Sequence, residues 1–153
     1  PKPEVYKVGC LGKIISFNET IDNRFIISLS GIIRFKVQEE LNTNKLYREF
    51  KVDYSDYIND LKIKKKDEIN YNENNLLKKI KLFFEKKNYT LQLDEFKKLS
   101  FDQLISAVCM VSPFSTEEKQ KLIETIRMED KIKVLEEIIN FNLLDNQENK
   151  TLQ

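Results

Sequence analysis

The sequence contains no histidine and no tryptophan, and it has only two cysteines, three glycines and three prolines among 153 residues. Without histidine the chain cannot build a Ser-His-Asp triad or a histidine metal site, and two cysteines are too few for a zinc ribbon or a disulfide framework. We therefore expect no catalytic residue, no metal and no cofactor. No apolar run approaches the roughly 20 residues of a membrane-spanning helix. The first residues do not resemble a secretory signal, so we predict a soluble, cytoplasmic protein.

The Gly12-Lys13 pair invites comparison with a phosphate-binding loop, but the motif is incomplete at both ends. Lys7 stands where the first glycine is required, and Ile14 stands where Ser or Thr would bind magnesium. Serines and lysines for a Ser-Lys dyad are abundant, yet no spacing places a serine in a strained, glycine-flanked turn. The sequence therefore predicts neither ATPase nor peptidase activity.

The charges nearly cancel, with 26 basic against 25 acidic residues, so no overall cationic field points to nucleic acid. They are unevenly shared, because residues 1–90 hold 18 basic and 13 acidic side chains, whereas residues 91–153 hold 8 and 12. A solvated surface is the preferred interpretation; the alternatives are that the charges hold the two halves in register or steer an oppositely charged partner. The lysines between Lys62 and Lys66, with tyrosines nearby, faintly resemble a nucleic-acid site, but a solvated linker is favoured.

All three glycines lie in the first 31 residues, where period-2 patterning predicts about four antiparallel strands joined by short turns. The pattern interrupts at Gly31, where we expect a bulge or bend. Beyond it, alternation predicts three inward and three outward side chains, namely Ile33, Phe35 and Val37 against Arg34, Lys36 and Gln38. We predict a β subdomain over residues 1–56, a linker over 57–72, a helical bundle over 73–146 and a frayed tail over 147–153.

Helical periodicity begins near Leu76 and places an apolar stripe opposite a row of lysines. Three short helices follow: one can begin at Asp94, and Ser100 and Ser115 open two capping boxes with Gln103 and Glu118. A last helix is expected from about Glu129 to Leu144. Cys10 in a strand and Cys109 on an apolar helix stripe are interpreted as small buried hydrophobes, because no imidazole is present to activate either thiol.

The segments VGCLGKI, RFIISLSGIIRFKVQEEL and YREFKVDY resemble, in order and spacing, the N-terminal substrate-binding domain of Lon proteases. The resemblance covers about 140 residues and includes SPFSTEEKQKLIE in the helical half, which is similar to short stand-alone bacterial members. The residues that carry it in the β half are Gly9, Gly12, Gly31, Arg34 and Phe35. The resemblance implies an α+β fold, with a PUA-like antiparallel β-barrel followed by an α-helical bundle, and recognition of polypeptides without ATPase or peptidase modules.

The family's barrel ordinarily begins with further strands ahead of VGCLGKI, so the resemblance implies a truncated chain with an open β edge. We expect either self-association through that edge or non-covalent retention of the missing segment, beside an apolar face that includes Ile15, Phe17 and Ile27. Binding of unfolded or partner polypeptides is the leading function, with Tyr54, Tyr57 and Tyr71 as candidate contacts. RNA binding is the alternative, because PUA-like barrels also serve RNA; a membrane partner is not expected.

Overall fold

A computed structural model of the protein describes residues 2–62, 73–89 and 99–148. Within these ranges three antiparallel strands are followed by helices, which confirms the predicted α+β class. The chain divides into two compact units, residues 1–63 and 64–153. The sheet of the first unit is open, so the predicted PUA-like barrel is not observed in the described part of the chain.

The first unit is built on a long hairpin. Strand β1 (Val8–Glu19) pairs with β2 (Phe25–Leu41), and β2 pairs with the short strand β3 (Glu49–Asp53), in the sheet order β1-β2-β3. The hairpin turn is the polar segment predicted from the sequence, and Asn23 there adopts a left-handed φ of 58°. Asparagine tolerates that conformation better than most residues, which explains its place in the turn.

The prediction of about four strands counted separate strands on either side of Gly31, but Gly31 does not divide this segment. β2 runs unbroken for 17 residues, so the described chain has three strands instead of about four. The irregularity at this point is a register shift between Leu11 and Gly12 on β1, which leaves Ile32 of β2 as the additional residue. The expectation of a bulge is thus confirmed. Gly12 and Gly31 lie opposite each other beside this shift, and β2 remains one strand through it.

The period-2 prediction for residues 33 to 38 holds only in part. Ile33 is buried, Phe35 and Val37 are half-buried, and Lys36 is exposed. Arg34, predicted to face solvent, is buried with 8% exposure. The reason is a 3-10 helix, Ser55–Leu61, which covers the sheet at this position. Residues 57–61, assigned to the linker from their polarity, lie in that helix, and Tyr57 within it is buried.

The second unit contains helices α1 (Glu73–Lys86), α2 (Phe101–Val111), α3 (Thr116–Glu124) and α4 (Met128–Glu148). Their apolar faces share one core, formed by Leu76, Ile80, Phe83, Phe84, Phe101, Leu104, Ile105, Val108, Phe114, Leu122, Met128, Ile132, Leu135, Ile138 and Ile139. The stripe predicted for α1 supplies the first members of this core.

Both predicted capping boxes are present. The backbone N–H of Ser100 donates to Gln103 Oε1 at 3.0 Å, and that of Ser115 donates to Glu118 Oε2 at 2.8 Å. The helix predicted to start at Asp94 lies outside the described residues. Helix α4 continues to Glu148, beyond the expected end at Leu144, since no glycine or proline follows to stop it.

Helices α1 and α4 run parallel. Lys79 Nζ lies 2.9 Å from Glu136 Oε1, and seven residues further along each helix the Lys86 ammonium donates to the carbonyl of Leu143. The two pairs have the same separation along the chain, 57 residues, which only parallel helices in register can give. The helical unit is therefore held together by contacts between distant parts of its sequence.

Candidate functional site

The hairpin extends well beyond the third strand. β3 pairs only with residues Lys36 to Leu41 of β2, so from Gly12 to Gly31 the sheet has two strands in the described part of the chain. A two-stranded hairpin is marginally stable by itself in water. This part of the molecule therefore needs cross-strand packing or a partner to stabilise it.

One side of this hairpin is mostly apolar, and its one charged residue, Glu19, lies opposite Phe25 near the turn. Ile14 lies opposite Leu29 and Phe17 lies opposite Ile27, and residues directly opposite each other project from the same face. Phe25 alternates with Ile27 along β2 and therefore joins them. We call these five residues the hairpin face: Ile14, Phe17, Phe25, Ile27 and Leu29.

The hairpin face is open to solvent. Its five side chains are between 47% and 63% exposed, and the rings of Phe17 and Phe25 stack with centroids 5.1 Å apart. Together they leave roughly 400–500 Å² of apolar surface in contact with water, which reaches the size at which exposed patches on monomers are often functional. The reverse side is mostly polar, with Lys13, Ser16, Asn18, Ser28 and Ser30 beside Ile26. The expected apolar face is thus present, although Ile15 falls at the register shift between Ile14 and Ser16.

The base of the hairpin is fixed by Arg34. Its guanidinium makes a two-point contact with Asp60 of the 3-10 helix, with Nε 2.8 Å from Oδ2 and Nη2 2.7 Å from Oδ1. Asp60 also accepts the backbone N–H of Arg34 at 3.2 Å, and the guanidinium lies 4.5 Å from the ring centroid of Tyr57. Charge-assisted two-point pairs of this kind fix orientation as well as position. The 3-10 helix is thereby held on β2.

The 3-10 helix covers the same side of the sheet that carries the hairpin face. Cys10 and Val8 alternate with Ile14 along β1, and they lie opposite Arg34 and Lys36. Arg34 reaches Asp60, and Lys36 forms an ion pair with Asp56 of the same helix. One face of the sheet is therefore covered at its base and open from Ile14 to the turn.

Two of the three glycines expected to define the fold, Gly9 and Gly31, lie at close approaches of the sheet. A Cβ on Gly9 would lie 2.7 Å from the ring of Phe35, closer than packed carbon atoms approach. A Cβ on Gly31 would lie 3.3 Å from Cys10 Sγ. Gly9 therefore provides the space that the Phe35 ring fills, and a side chain at that position would displace the ring.

Two of the candidate polypeptide contacts predicted from the sequence, Tyr54 and Tyr57, lie among the described residues. Tyr54 is half-buried and packs edge-to-face against Phe35, with centroids 6.1 Å apart. Tyr57 is 1% exposed and sits beneath the Arg34 guanidinium, so its ring supports the base of the hairpin and is not presented to a ligand. Tyr71 lies outside the described residues. A binding role for Tyr54 remains a prediction.

Asp60 was not predicted from the sequence, because it lies in a polar stretch with no strand or α-helix periodicity. A signal existed in its spacing from Tyr57. Residues three apart lie on the same side of a 3-10 helix, so Tyr57 and Asp60 approach Arg34 together. Recognising that pairing required knowledge that the segment is a 3-10 helix.

A cluster of three charged side chains, Lys2, Glu40 and Arg48, lies near the end of β2. Glu40 accepts from Arg48 Nη2 at 2.8 Å and from Lys2 Nζ at 3.0 Å, and these bonds lower the pKa of Glu40 to about 2. Arg48 also donates to the backbone carbonyl of Pro3 at 2.8 Å. Because Lys2 and Pro3 both take part in these contacts, the cluster ties the start of the chain to the sheet.

The described residues offer little reactive chemistry. No three His, Cys, Asp or Glu side chains in those ranges converge as a metal site would need. Burial raises the pKa of the Cys109 thiol to about 11, so it is a neutral side chain at neutral pH. Cys10, expected to be buried, is exposed. None of the helices in the described ranges has the length and apolar character to cross a bilayer.

Comparison with known proteins supports the resemblance seen in the sequence. Residues 1–140 match the family described as the ATP-dependent protease La (LON) substrate-binding domain. No curated protein matches the sequence. The match spans both units and includes the whole hairpin and its base. The chain therefore belongs to the LON substrate-binding domain family.

Proposed function

We propose that this protein is a non-catalytic module that binds unfolded or partner polypeptides through the hairpin face. The observation that carries the proposal is the exposure of five apolar side chains on one side of a two-stranded hairpin. The family to which the chain belongs is a substrate-binding one. Together these features favour apolar polypeptide as the ligand.

The size of the hairpin face sets the strength of binding. Covering roughly 400–500 Å² of apolar surface releases about 10–12 kcal/mol at 25 cal/mol per Å². Association costs of 4–15 kcal/mol offset most or all of that gain. We therefore expect weak, reversible binding, as suits a module that takes up and releases many polypeptides.

The proposal is tested with reduced, carboxymethylated α-lactalbumin, a permanently unfolded probe, by fluorescence anisotropy against the 153-residue chain. Ile27→Ser should weaken binding several-fold, because Ile27 lies on the hairpin face. Leu11→Ser is the matched control: it is similarly exposed at 41% against 47%, it lies on β1 and not on β2, and it projects from the opposite side. Equal effects of the two substitutions, or no binding by the unaltered chain, would reject the hairpin face as the site.

RNA binding is less well supported by the first unit. Many of its basic side chains already have acidic partners, including Lys2, Arg34, Lys36, Lys45, Arg48 and Lys51. Phosphate contacts release counterions and lose affinity steeply as salt rises, whereas apolar contacts do not. Affinity for a single-stranded RNA that falls steeply between low and physiological salt would favour the RNA alternative.

Self-association is the competing use of the same surface. A second copy could cover the hairpin face in place of a client polypeptide, since the face is apolar and adjoins unpaired strand edges in the described residues. Light scattering across a range of concentrations separates the two. A monomer that binds the unfolded probe supports polypeptide recognition, and a stable dimer that excludes the probe supports self-association.

A further inference from the structure

The sheet has three stretches of strand edge without a neighbouring strand in the described residues, and they differ in how they are protected. Natural edge strands discourage further pairing with charges and bulges. The outer edge of β3 carries Glu49, Lys51 and Asp53, and the outer edge of β1 carries Lys13 and the additional residue Ile15. Two of the three edges therefore carry the usual protection.

The third edge belongs to β2 between Phe25 and Ser30, on the side away from β1, and it lacks that protection. The six residues are FIISLS, which contain no charge, and β2 itself has no additional residue among them. At Arg34, just beyond the last residue paired with β3, the carboxylate of Asp60 accepts the backbone N–H. The chain thus satisfies this edge at its base and leaves Phe25 to Ser30 without a strand partner in the described part.

We propose that a client polypeptide adds to the β2 edge at Phe25 to Ser30 as an extended strand in line with β3. This inference rests on the proposed function and specifies how the polypeptide is held. A strand of about six residues, roughly 20 Å long, matches the open edge. Its alternate side chains would lie beside Phe25, Ile27 and Leu29 as cross-strand neighbours on the hairpin face.

The occupant follows from the area and charge of the site. A stable interface buries about 800 Å² on each partner, and the hairpin face offers roughly 400–500 Å². A second copy that met this face alone would therefore bury too little, whereas an added strand gains main-chain hydrogen bonds as well. Because Phe25 to Ser30 carries no charge, the client segment is an uncharged one in which apolar residues alternate with small polar ones.

The test uses a fluorescein-labelled peptide of alternating valine and threonine in three forms: unmodified, N-methylated at the valines, and N-methylated at the threonines. A strand that pairs through one edge directs every second amide to its partner. One methylated form should therefore lose affinity by about tenfold or more, because its two or three main-chain hydrogen bonds to the protein are lost. The other should stay within about threefold of the unmodified peptide. Similar affinities for both methylated forms would overturn strand addition.

Amide hydrogen exchange locates the edge without any substitution that could unfold the hairpin. Bound peptide should slow exchange of backbone amides between Phe25 and Ser30 and leave those of β3 unchanged. Slowed exchange confined to β1 would overturn the choice of edge. If the unfolded probe binds and Ile27→Ser weakens it while the methylated peptides bind alike, strand addition fails and the proposed function stands. If the unfolded probe does not bind at all, the proposed function itself fails.

Discussion

Removal of the Asp60 carboxylate should release the 3-10 helix from the hairpin base. In the folded protein this group accepts two bonds from the Arg34 guanidinium and one from the backbone of the same residue. The Asp60→Ala change leaves a cation whose side chain is only 10% exposed without its carboxylate. Because that cation also lies over Tyr57, the packing of the buried ring is disturbed as well.

The magnitude follows from the burial of the pair. Breaking one side of a fully buried ion pair costs about 3–5 kcal/mol. The side chain of Asp60 is 22% exposed, so water can partly replace it, and we expect a loss of about 2–4 kcal/mol in the free energy of unfolding of the first unit. An exposed pair would contribute about 0–1 kcal/mol. The two cases are far enough apart for an ordinary unfolding experiment to distinguish them.

The assay is urea unfolding followed by NMR, with the aromatic signals of Tyr57 reporting the first unit and core methyl signals of Leu135 reporting the second. Asp56→Ala is the matched control, because Asp56 lies in the same 3-10 helix and pairs with the exposed Lys36 ammonium. It should change stability little. A cost below about 1 kcal/mol for Asp60→Ala, or equal costs for the two variants, would refute the reasoning.

Three further outcomes are expected. Gly9→Ala should lower the free energy of unfolding by about 1–3 kcal/mol, because the new Cβ displaces the Phe35 ring. Gly12→Ala should lower it less, since its Cβ would lie 3.5 Å from its nearest neighbour. Equal unfolding midpoints for the two variants would contradict this. Leu135→Ala, at a fully buried core position, should lower the free energy of unfolding by about 2–5 kcal/mol, as measured by calorimetry. A melting temperature close to the wild-type value would mean that the core is wrongly identified. The raised pKa of Cys109, about 11 against an ordinary 9.0, favours the neutral thiol in the folded state; stability is therefore retained below pH 9 and lost as pH rises through about 11. Iodoacetamide at pH 8 should accordingly label Cys10 well before Cys109, and equal rates would argue against that burial.

Local chemistry explains what the sequence predicts well. The capping boxes at Ser100 and Ser115 depend on residues three positions apart, and both formed as expected. The α1 stripe is likewise a local pattern that a shared core then buried. The position of Arg34 was not predictable in this way. Alternation places Arg34 on the other face of β2 from Ile33. Its burial, however, depends on Asp60, a residue 26 positions away in a segment without helical or strand periodicity.

The candidate site was predictable in composition but not in position. An exposed apolar face was expected from the resemblance, and two of the residues named for it, Phe17 and Ile27, lie on the hairpin face. Ile15 does not share their register, because a register shift leaves it as the additional residue. A single inserted residue reverses the face on which its neighbours project. Such shifts depend on how two strands meet, which the sequence of one strand does not determine.

The parallel alignment of α1 with α4 has a consequence for how the helical unit forms. An antiparallel neighbour can be reached through a short turn, but the Lys79–Glu136 and Lys86–Leu143 contacts each close a loop of 57 residues. Closing such a loop costs roughly 3.5 kcal/mol in chain entropy, before an added constant. An exposed ion pair within α1, such as Lys81–Glu85, is too weak to offset that cost. Helix α1 also packs Phe83 against Phe114, but the part of its stability that comes from α4 is gained late, when α4 is already in place. A nascent chain would keep the part of the α1 stripe that packs against α4 exposed until the last helix is synthesised, so this is where a chaperone would be needed.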